Sequence, residues 1–339
     1  MENPLITTII PTYKRPHLLK RALSSALNQT YRQIQVIVYD NASGDETKEV
    51  IDEFIKKDPR IKYHCHPHNI GMMGNYQYAL KEVQTPYFSL LSDDDVILPW
   101  FYEEALSKLQ NCPEAAFFAG STIIMSEKGK VIRVPLELWK RDGWFSSEEG
   151  LLEMIGKYPV PTGILFRRQV IDAVPIDMEN NLTWDCDFLV QIAARFPFVT
   201  SNHPCSIFLH HEASYSNIQS FDPWKNAFTR VSERLDLLTP LSVAIKRAAC
   251  EAIKRDLKAT NWAFVFVSLF KKRNAEACYY ASLFNEKFGP SSKSWILLAL
   301  TRSCRYFPPT LFFLRVMNKI RRLTMKKSQH PYESYAEWL

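Results

Sequence analysis

The residues best suited to chemistry gather first at 86–99, PYFSLLSDDDVILP, where an apolar run meets Asp93, Asp94 and Asp95 and then resumes. Three adjacent carboxylates repel one another, and burying them without a counter-charge is costly. A hard divalent cation meets that need, because Mg²⁺ or Mn²⁺ takes carboxylate oxygens together with substrate phosphates. Other uses are excluded nearby. Leu98 stands where an EF-hand loop needs its glycine, and no Walker A loop is present anywhere in the chain. NIGMMGN at 69–75 follows the third predicted strand and has the wrong spacing for a dinucleotide fingerprint.

For the acids to act together they must stand at a strand end. The first 98 residues alternate in a βα rhythm: LITTIIPTY is short and β-branched, and PHLLKRALSSALNQT is amphipathic with proline near its start. IQVIVYD is a second strand, closed by the turn residues NASGD. ETKEVIDEFIKKD follows, with Val50, Ile51, Phe54 and Ile55 at helical spacing. IKYHCH, MGNYQYALKEV and PYFSLL continue as strand, helix and strand. Such a chain predicts a mostly parallel sheet covered on both faces. Ligands of these sheets collect at the carboxyl ends of the strands. That edge would carry Pro11, Thr12, Tyr13, Asp40, Asn69 and Asp93–Asp95.

From 99 to 220 the rhythm breaks. PWFYEEALSKLQN reads as a helix, EAAFFAGSTIIM and KVIRVP as strands, and SSEEGLLEMIG as a helix with a serine cap. VPTGILFRRQVI reads as a loop, a strand and a short helix. TWDCDFLVQIAARFP reads as a helix ended by Pro197, and PCSIFLHH as a last strand. Beyond 221 four successive segments are helical: NAFTRVSERLDLL, LSVAIKRAACEAIKRDLKA, WAFVFVSLFKKRN and AEACYYASLFNEKF. The expected division is 1–220, itself split at 98/99, followed by a helical region 221–339.

Charge divides at the same place. Residues 1–220 carry 21 Lys/Arg against 27 Asp/Glu, and residues 221–339 carry 21 against 9. Residues 301–328 hold eight Lys/Arg and no acid, mixed with Tyr306, Phe307, Phe312, Phe313 and Leu314. A helix with one aromatic and one cationic face can lie on an anionic bilayer or pack against a partner subunit. The seven scattered cysteines form no CxxC, which argues against a disulfide framework or a cysteine-built zinc site and favours a reducing, cytoplasmic compartment. No basic leader precedes the first apolar run, and no long uncharged apolar stretch reads as a membrane span.

TIIPTYKRPHLLKRALSSALNQTY, QVIVYDNASGDET, HNIGMMGNYQYAL and SLLSDDDV, in that order and spacing, resemble the family 2 glycosyltransferases with the GT-A fold, of the bacterial polysaccharide and O-antigen type. The resemblance implies that 1–98 binds a nucleotide-sugar, 99–220 binds the acceptor and completes catalysis, and the helical region brings the enzyme to its acceptor. It places Pro11, Thr12 and Tyr13 at the base and ribose, with Arg15 and Asn69 nearby. It makes Asp40 the acceptor for a pyrimidine N–H. An ionised carboxylate fits that role, but it does not separate UDP from dTDP. Family members often carry Asp, any residue, Asp, Asp; here Ser92 stands at the first acid. Two registers follow: Asp93 at the ribose with Asp94 on the metal, or Asp93 and Asp95 as the pair. The metal set is Asp94, Asp95 and His211, and Asp93 and Asp94 also face the donor. LTWDCDF implies Asp185 as the catalytic base, with Trp184 in place of a common acid and Asp187 two residues on. HHEASYS aligns His211 with Ser214 and Ser216. Thr162, Gly163 and Trp184 fall on the acceptor side.

The activity implied is inverting transfer of a sugar from a UDP- or dTDP-linked donor to a hydroxyl of a glycan or lipid-linked saccharide, with Mn²⁺ or Mg²⁺ as cofactor. Peripheral attachment to the cytoplasmic face of a membrane, and self-association, are the further expectations. A sugar-phosphate nucleotidyltransferase would need a glycine-rich loop after the first strand, which PTYKRPH lacks. A non-catalytic nucleotide- or glycan-binding protein on the same fold is the alternative. A nucleic-acid binder is disfavoured, since no helix-turn-helix, zinc finger or RRM aromatic pair appears.

Overall fold

The computed structural model describes residues 5–177, 183–211, 222–237, 241–306 and 330–339. The expected βα rhythm is present: β1 (Ile6–Thr12), α1 (Pro16–Leu27), β2 (Ile34–Asp40), α2 (Thr47–Ile55), β3 (Ile61–Cys65), α3 (Gly71–Lys81) and β4 (Tyr87–Leu90). Next come β5 (Val96–Ile97), α4 (Phe101–Asn111), β6 (Phe117–Ser126), β7 (Val131–Arg133), β8 (Gly143–Phe145) and α5 (Ser147–Met154). Then follow β9 (Ile164–Arg167), α6 (Gln169–Ala173), α7 (Trp184–Ala193) and β10 (Phe198–His210). Helices α8 (Asp222–Leu237), α9 (Val243–Phe270), α10 (Asn274–Phe288) and α11 (Ser292–Tyr306) complete the order before a 3₁₀ segment at Pro331–Trp338.

One ten-stranded sheet runs β3-β2-β1-β4-β9-β6-β10-β5, with β7 on β6 and β8 on β10. The β3-β2-β1-β4 half is parallel, and β9 enters antiparallel between β4 and β6. The strands have the residues for this position: Ile6, Ile9, Ile10, Val36, Val38 and Phe88 are buried under helices on both faces. The register pairs Thr12 with Asp40 and Ile9 with Leu90, so β1, β2 and β4 end on one edge.

The serine cap holds, as Ser146 Oγ accepts from the Glu149 backbone N–H at 3.3 Å. Two helical segments read separately from the sequence, on either side of Thr260, are one 28-residue helix, α9. Nothing breaks it at the join, where Asn261 is buried. The helical region is not set apart from the sheet by its core. A continuous apolar cluster reaches from Ile9 and Phe88 through Phe188 to Phe228, Leu257, Phe284 and Cys304. Among the described residues no helix is long and apolar enough to cross a membrane.

Candidate active site

At the carboxyl edge of β1 and β4 lies a cleft of about 500 Å³. Pro11, Thr12, Tyr13 and Arg15 line it from the end of β1, Asn69 from the turn before α3, and Ser92, Asp93 and Asp94 from the turn after β4. Thr162 reaches it from before β9, and Trp184 and Asp185 from the start of α7. Most of the residues predicted to act together therefore face one space.

The three acids turn three ways. The Asp95 N–H bonds the Ser92 carbonyl at 3.1 Å, which closes a tight turn and ends the strand alternation. Asp93 accepts from Thr12 Oγ1 at 2.8 Å and from Arg15 at 3.3 Å. Asp94 Oδ2 accepts from Arg15 at 3.0 Å and lies 3.0 Å from His211 Nε2. Arg21 holds the Asp94 backbone carbonyl at 2.7 Å. Asp95 points inward, accepting from Thr162 Oγ1 at 2.5 Å and from the Leu209 N–H at 3.0 Å. It is fully buried and does not line the cleft. Its role here is to tie the acidic turn to β10.

Burial, aided by the charge of Asp94, pushes the Asp93 carboxyl up to about 6, against the pull of Arg15. The same two causes push Asp95 well above the usual carboxylate range. Burial first, and repulsion from Asp94 second, thus disfavour ionising these carboxyls together, and an added cation would relieve both. Asp94 and His211 offer a carboxylate oxygen and an imidazole nitrogen side by side, a donor set that fits Mn²⁺ or Mg²⁺ completed by phosphate oxygens.

The two acids of α7 separate as the first turn of a helix requires. Asp185 faces the cleft, and one of its oxygens accepts from the Cys186 N–H at 2.9 Å. Burial raises its carboxyl above the ordinary value. Asp187 points the other way, into an ion pair with Arg234 of α8, while Arg234 also holds Asp177 at 2.5 Å. Asp187 is a structural link between α7 and the helical region.

Two further expected residues are placed elsewhere. Asp40 is 2 % exposed and absent from the cleft wall. Its Oδ1 accepts from the Ser43 N–H at 2.9 Å and the Ser43 hydroxyl at 2.5 Å, and its Oδ2 from Tyr63 at 2.7 Å. The carboxylate is spent on closing the turn, and the next residue, Asn41, faces the cleft instead. Gly163 does not touch the cleft either. A Cβ there would fall 2.4 Å from Thr122 Oγ1 and 3.0 Å from the Gly120 carbonyl. Gly163→Ala is therefore expected to cost about 1–3 kcal/mol by overpacking, read as a lower urea midpoint. An unchanged midpoint would remove this explanation. Arg167 and Arg168, whose charges could have suited a diphosphate, anchor the backbone carbonyls of Ala115, Leu109 and Val83. Ser214 and Ser216 lie outside the described residues.

The cleft also contains residues that motif reading missed. Asn41 Nδ2 donates to Asn69 Oδ1 at 2.9 Å, and Asn75 Nδ2 to the Tyr39 carbonyl at 2.9 Å. Tyr76 packs against Trp184 with centroids 4.6 Å apart. The signal for the α3 group was its spacing, since Gly71, Met72, Asn75 and Tyr76 share one helix face.

Residues 7–174 match the family described as Glycosyl transferase family 2. The chain carries a family 2 glycosyltransferase domain. A Haemophilus influenzae protein described as an uncharacterized glycosyltransferase is 36% identical over 112 residues, 33% of this chain and 45% of that protein. A GalNAc(5)-diNAcBac-PP-undecaprenol beta-1,3-glucosyltransferase of Campylobacter jejuni is 30% identical over 147 residues, 41% of this chain and 47% of that protein. The chain thus spans about half the length of these two glycosyltransferases. In fold, the chain is similar to S. aureus TarS 1-349 in complex with UDP-GlcNAc, with TM-score 0.63, 14% identity, and 89% and 87% of the two chains covered. It is also similar to the mannosyltransferase PcManGT of Pyrobaculum calidifontis in complex with GDP-Man and Mn²⁺, with TM-score 0.53, 12% identity, and 96% and 89% covered. These two likenesses establish a GT-A-like architecture for the family 2 domain.

Proposed function

We propose that this protein transfers a sugar from a UDP- or dTDP-linked donor to a hydroxyl of a glycan or lipid-linked saccharide, with inversion at the anomeric carbon. The observation that carries the reading is one cleft lined by Asp93 and Asp94 and by Asp185, with Thr12, Tyr13 and Asn69 beside them. Asp94 and His211 would hold Mn²⁺ or Mg²⁺, which supplies neutralising charge for the departing diphosphate. Thr12 and Arg15 fix Asp93 toward the ribose. Asn41 and Asn69 present amides where the pyrimidine edge would be read, and Asp40 holds the turn that carries Asn41. Asp185 accepts the proton of the attacking hydroxyl, its raised carboxyl making it a better base than an exposed aspartate. Trp184 and Thr162 line the side where the acceptor would stack and bond. Such a transfer needs no acid to protonate the leaving group, unlike a two-carboxylate hydrolase. Thermal-shift screening of nucleotides tests the donor class: UDP or dTDP with Mn²⁺ should raise the Tm, and ADP should not. A shift with purine nucleotides alone would contradict the pyrimidine assignment.

The helical region brings this chemistry to an anionic membrane surface in the same reading. On α11 the outward face carries Trp295, 65 % exposed, and Ile296, 57 % exposed, beside exposed Lys293 and Arg302. An aromatic and aliphatic pair flanked by cations suits a headgroup boundary, where each basic residue is worth roughly 1 kcal/mol. The basic stretch 307–328 lies outside the described residues. Full-length protein should float with anionic liposomes at low salt and be released by high salt. The Trp295→Ala, Ile296→Ala double variant should float several-fold less. Equal flotation of both would take the contact away from this face of α11, and none of either would leave these helices as scaffold.

A further inference from the structure

A second group of ligand-bearing side chains stands away from the cleft, on the face of β10 covered by α4. Glu104, His203 and Cys205 bring one ligand atom each within 4.8 Å of one another, and none of the three lines the cleft. We propose that Glu104 Oε2, His203 Nδ1 and Cys205 Sγ form a binding site for a soft divalent transition-metal ion of the Zn²⁺ class, which clips α4 to β10.

The local backbone is built to converge these atoms. Strand β10 breaks register against β6 between Ser201 and Pro204 and again between Pro204 and Ser206. Bulges of this kind re-aim side chains, and here His203 and Cys205 both meet Glu104. Gly120 on β6 makes the room. A Cβ there would lie 2.3 Å from Cys205 Sγ. Trp100 fixes the loop, donating its indole N–H to the Pro204 carbonyl at 2.7 Å and packing on the His203 ring at 5.4 Å. Ser201 Oγ donates to the other oxygen of Glu104 at 2.5 Å, the outer hydrogen bond that orients a ligating carboxylate.

The distances suit zinc after a small opening. His203 Nδ1 and Glu104 Oε2 are 2.5 Å apart, and Cys205 Sγ and Glu104 Oε2 are 3.8 Å apart. Tetrahedral zinc holds N and O ligands about 3.3 Å apart, so the His–Glu pair must part by less than ~1 Å, while the sulfur stays within 4.8 Å of both partners. Cys205 enters as a thiolate and gives its proton to solvent; no electron is transferred. A thiolate, an imidazole and one carboxylate select against the hard Mg²⁺. The His203 side chain is half exposed, which gives the ion an entry path and leaves a fourth position for water. Helix α4 follows the acidic turn, and β10 ends beside His211, so this clip would steady both partners of the Asp94–His211 pair.

Cobalt(II) is the probe, added to purified full-length protein. One equivalent should give tetrahedral d–d absorption and a thiolate-to-cobalt charge-transfer band in the near ultraviolet, both removed by Zn²⁺ and not by Mg²⁺. Cys205→Ser should abolish the charge-transfer band. His203→Ala, at a half-exposed position that spares the fold, should weaken Co²⁺ binding at least ~10-fold. No band in folded wild-type protein, wild-type affinity in His203→Ala, or a band lost only in Cys65→Ser would overturn the proposal.

Discussion

Asp185→Asn is expected to leave donor binding nearly intact and to lower turnover about 10²–10⁴-fold, the usual worth of a positioned proton acceptor. An amide keeps the shape of the carboxylate and can still accept from the Cys186 N–H, so the loss would be one of proton transfer. The pH profile gives an independent reading. Asp185 works only when ionised, so turnover should fall as pH drops through its carboxyl. Burial sets that limb above the ordinary value of about 3.9. Asp187→Asn is the contrast, because its carboxylate serves Arg234 rather than the cleft. That variant should lose roughly 2 kcal/mol of stability and keep turnover within a few-fold. Wild-type turnover in Asp185→Asn, or equal collapse in both variants, would remove Asp185 as the base.

The second large effect concerns the acidic turn. Asp94→Ala should lower metal-dependent turnover by at least ~10²-fold and shift the Mn²⁺ dependence to higher concentration, since it removes the oxygen that faces His211. Asp95→Asn should behave differently. Asp95 already spends both oxygens on Thr162 and Leu209, and its raised carboxyl shows how poorly its charge is tolerated. An amide oxygen can keep one of those bonds, so the Mn²⁺ dependence should hardly move. The reverse ranking would favour the register in which Asp93 and Asp95 form the pair. Manganese titrations of both variants, at fixed donor concentration, decide between them.

Much of this site was legible because a parallel βα sheet places every strand end on one edge. Pro11, Thr12 and Tyr13 at the end of β1 and Asp93 and Asp94 after β4 reached the cleft by that rule, whereas Asp185 at the start of α7 was legible only through the family resemblance. What was not legible was orientation within a turn. Asp40 and Asn41 are neighbours on the edge, yet the Ser43 N–H and hydroxyl capture the aspartate and leave the asparagine facing the cleft. The same kind of local capture turns Asp95 inward. Long-range pairing was hidden too: nothing in VPTGILFRR says that β9 inserts antiparallel between β4 and β6. The Glu104–His203–Cys205 group could not be seen as a motif, because its members come together only when α4 packs on β10.

Metal-assisted turnover of a pyrimidine nucleotide-sugar is the activity proposed for this cleft. The most direct measurement is release of UDP or dTDP from a panel of UDP- and dTDP-sugars by purified full-length protein, with and without EDTA. Mn²⁺ should support release from at least one donor, slowly by hydrolysis and faster once an acceptor glycan is present. EDTA should abolish it, and excess Mn²⁺ or Mg²⁺ should restore it. Full turnover in EDTA would contradict the role given to Asp94 and His211. Saturable donor binding with no turnover under any of these conditions would contradict the enzyme reading and leave a nucleotide-sugar-binding protein on this fold.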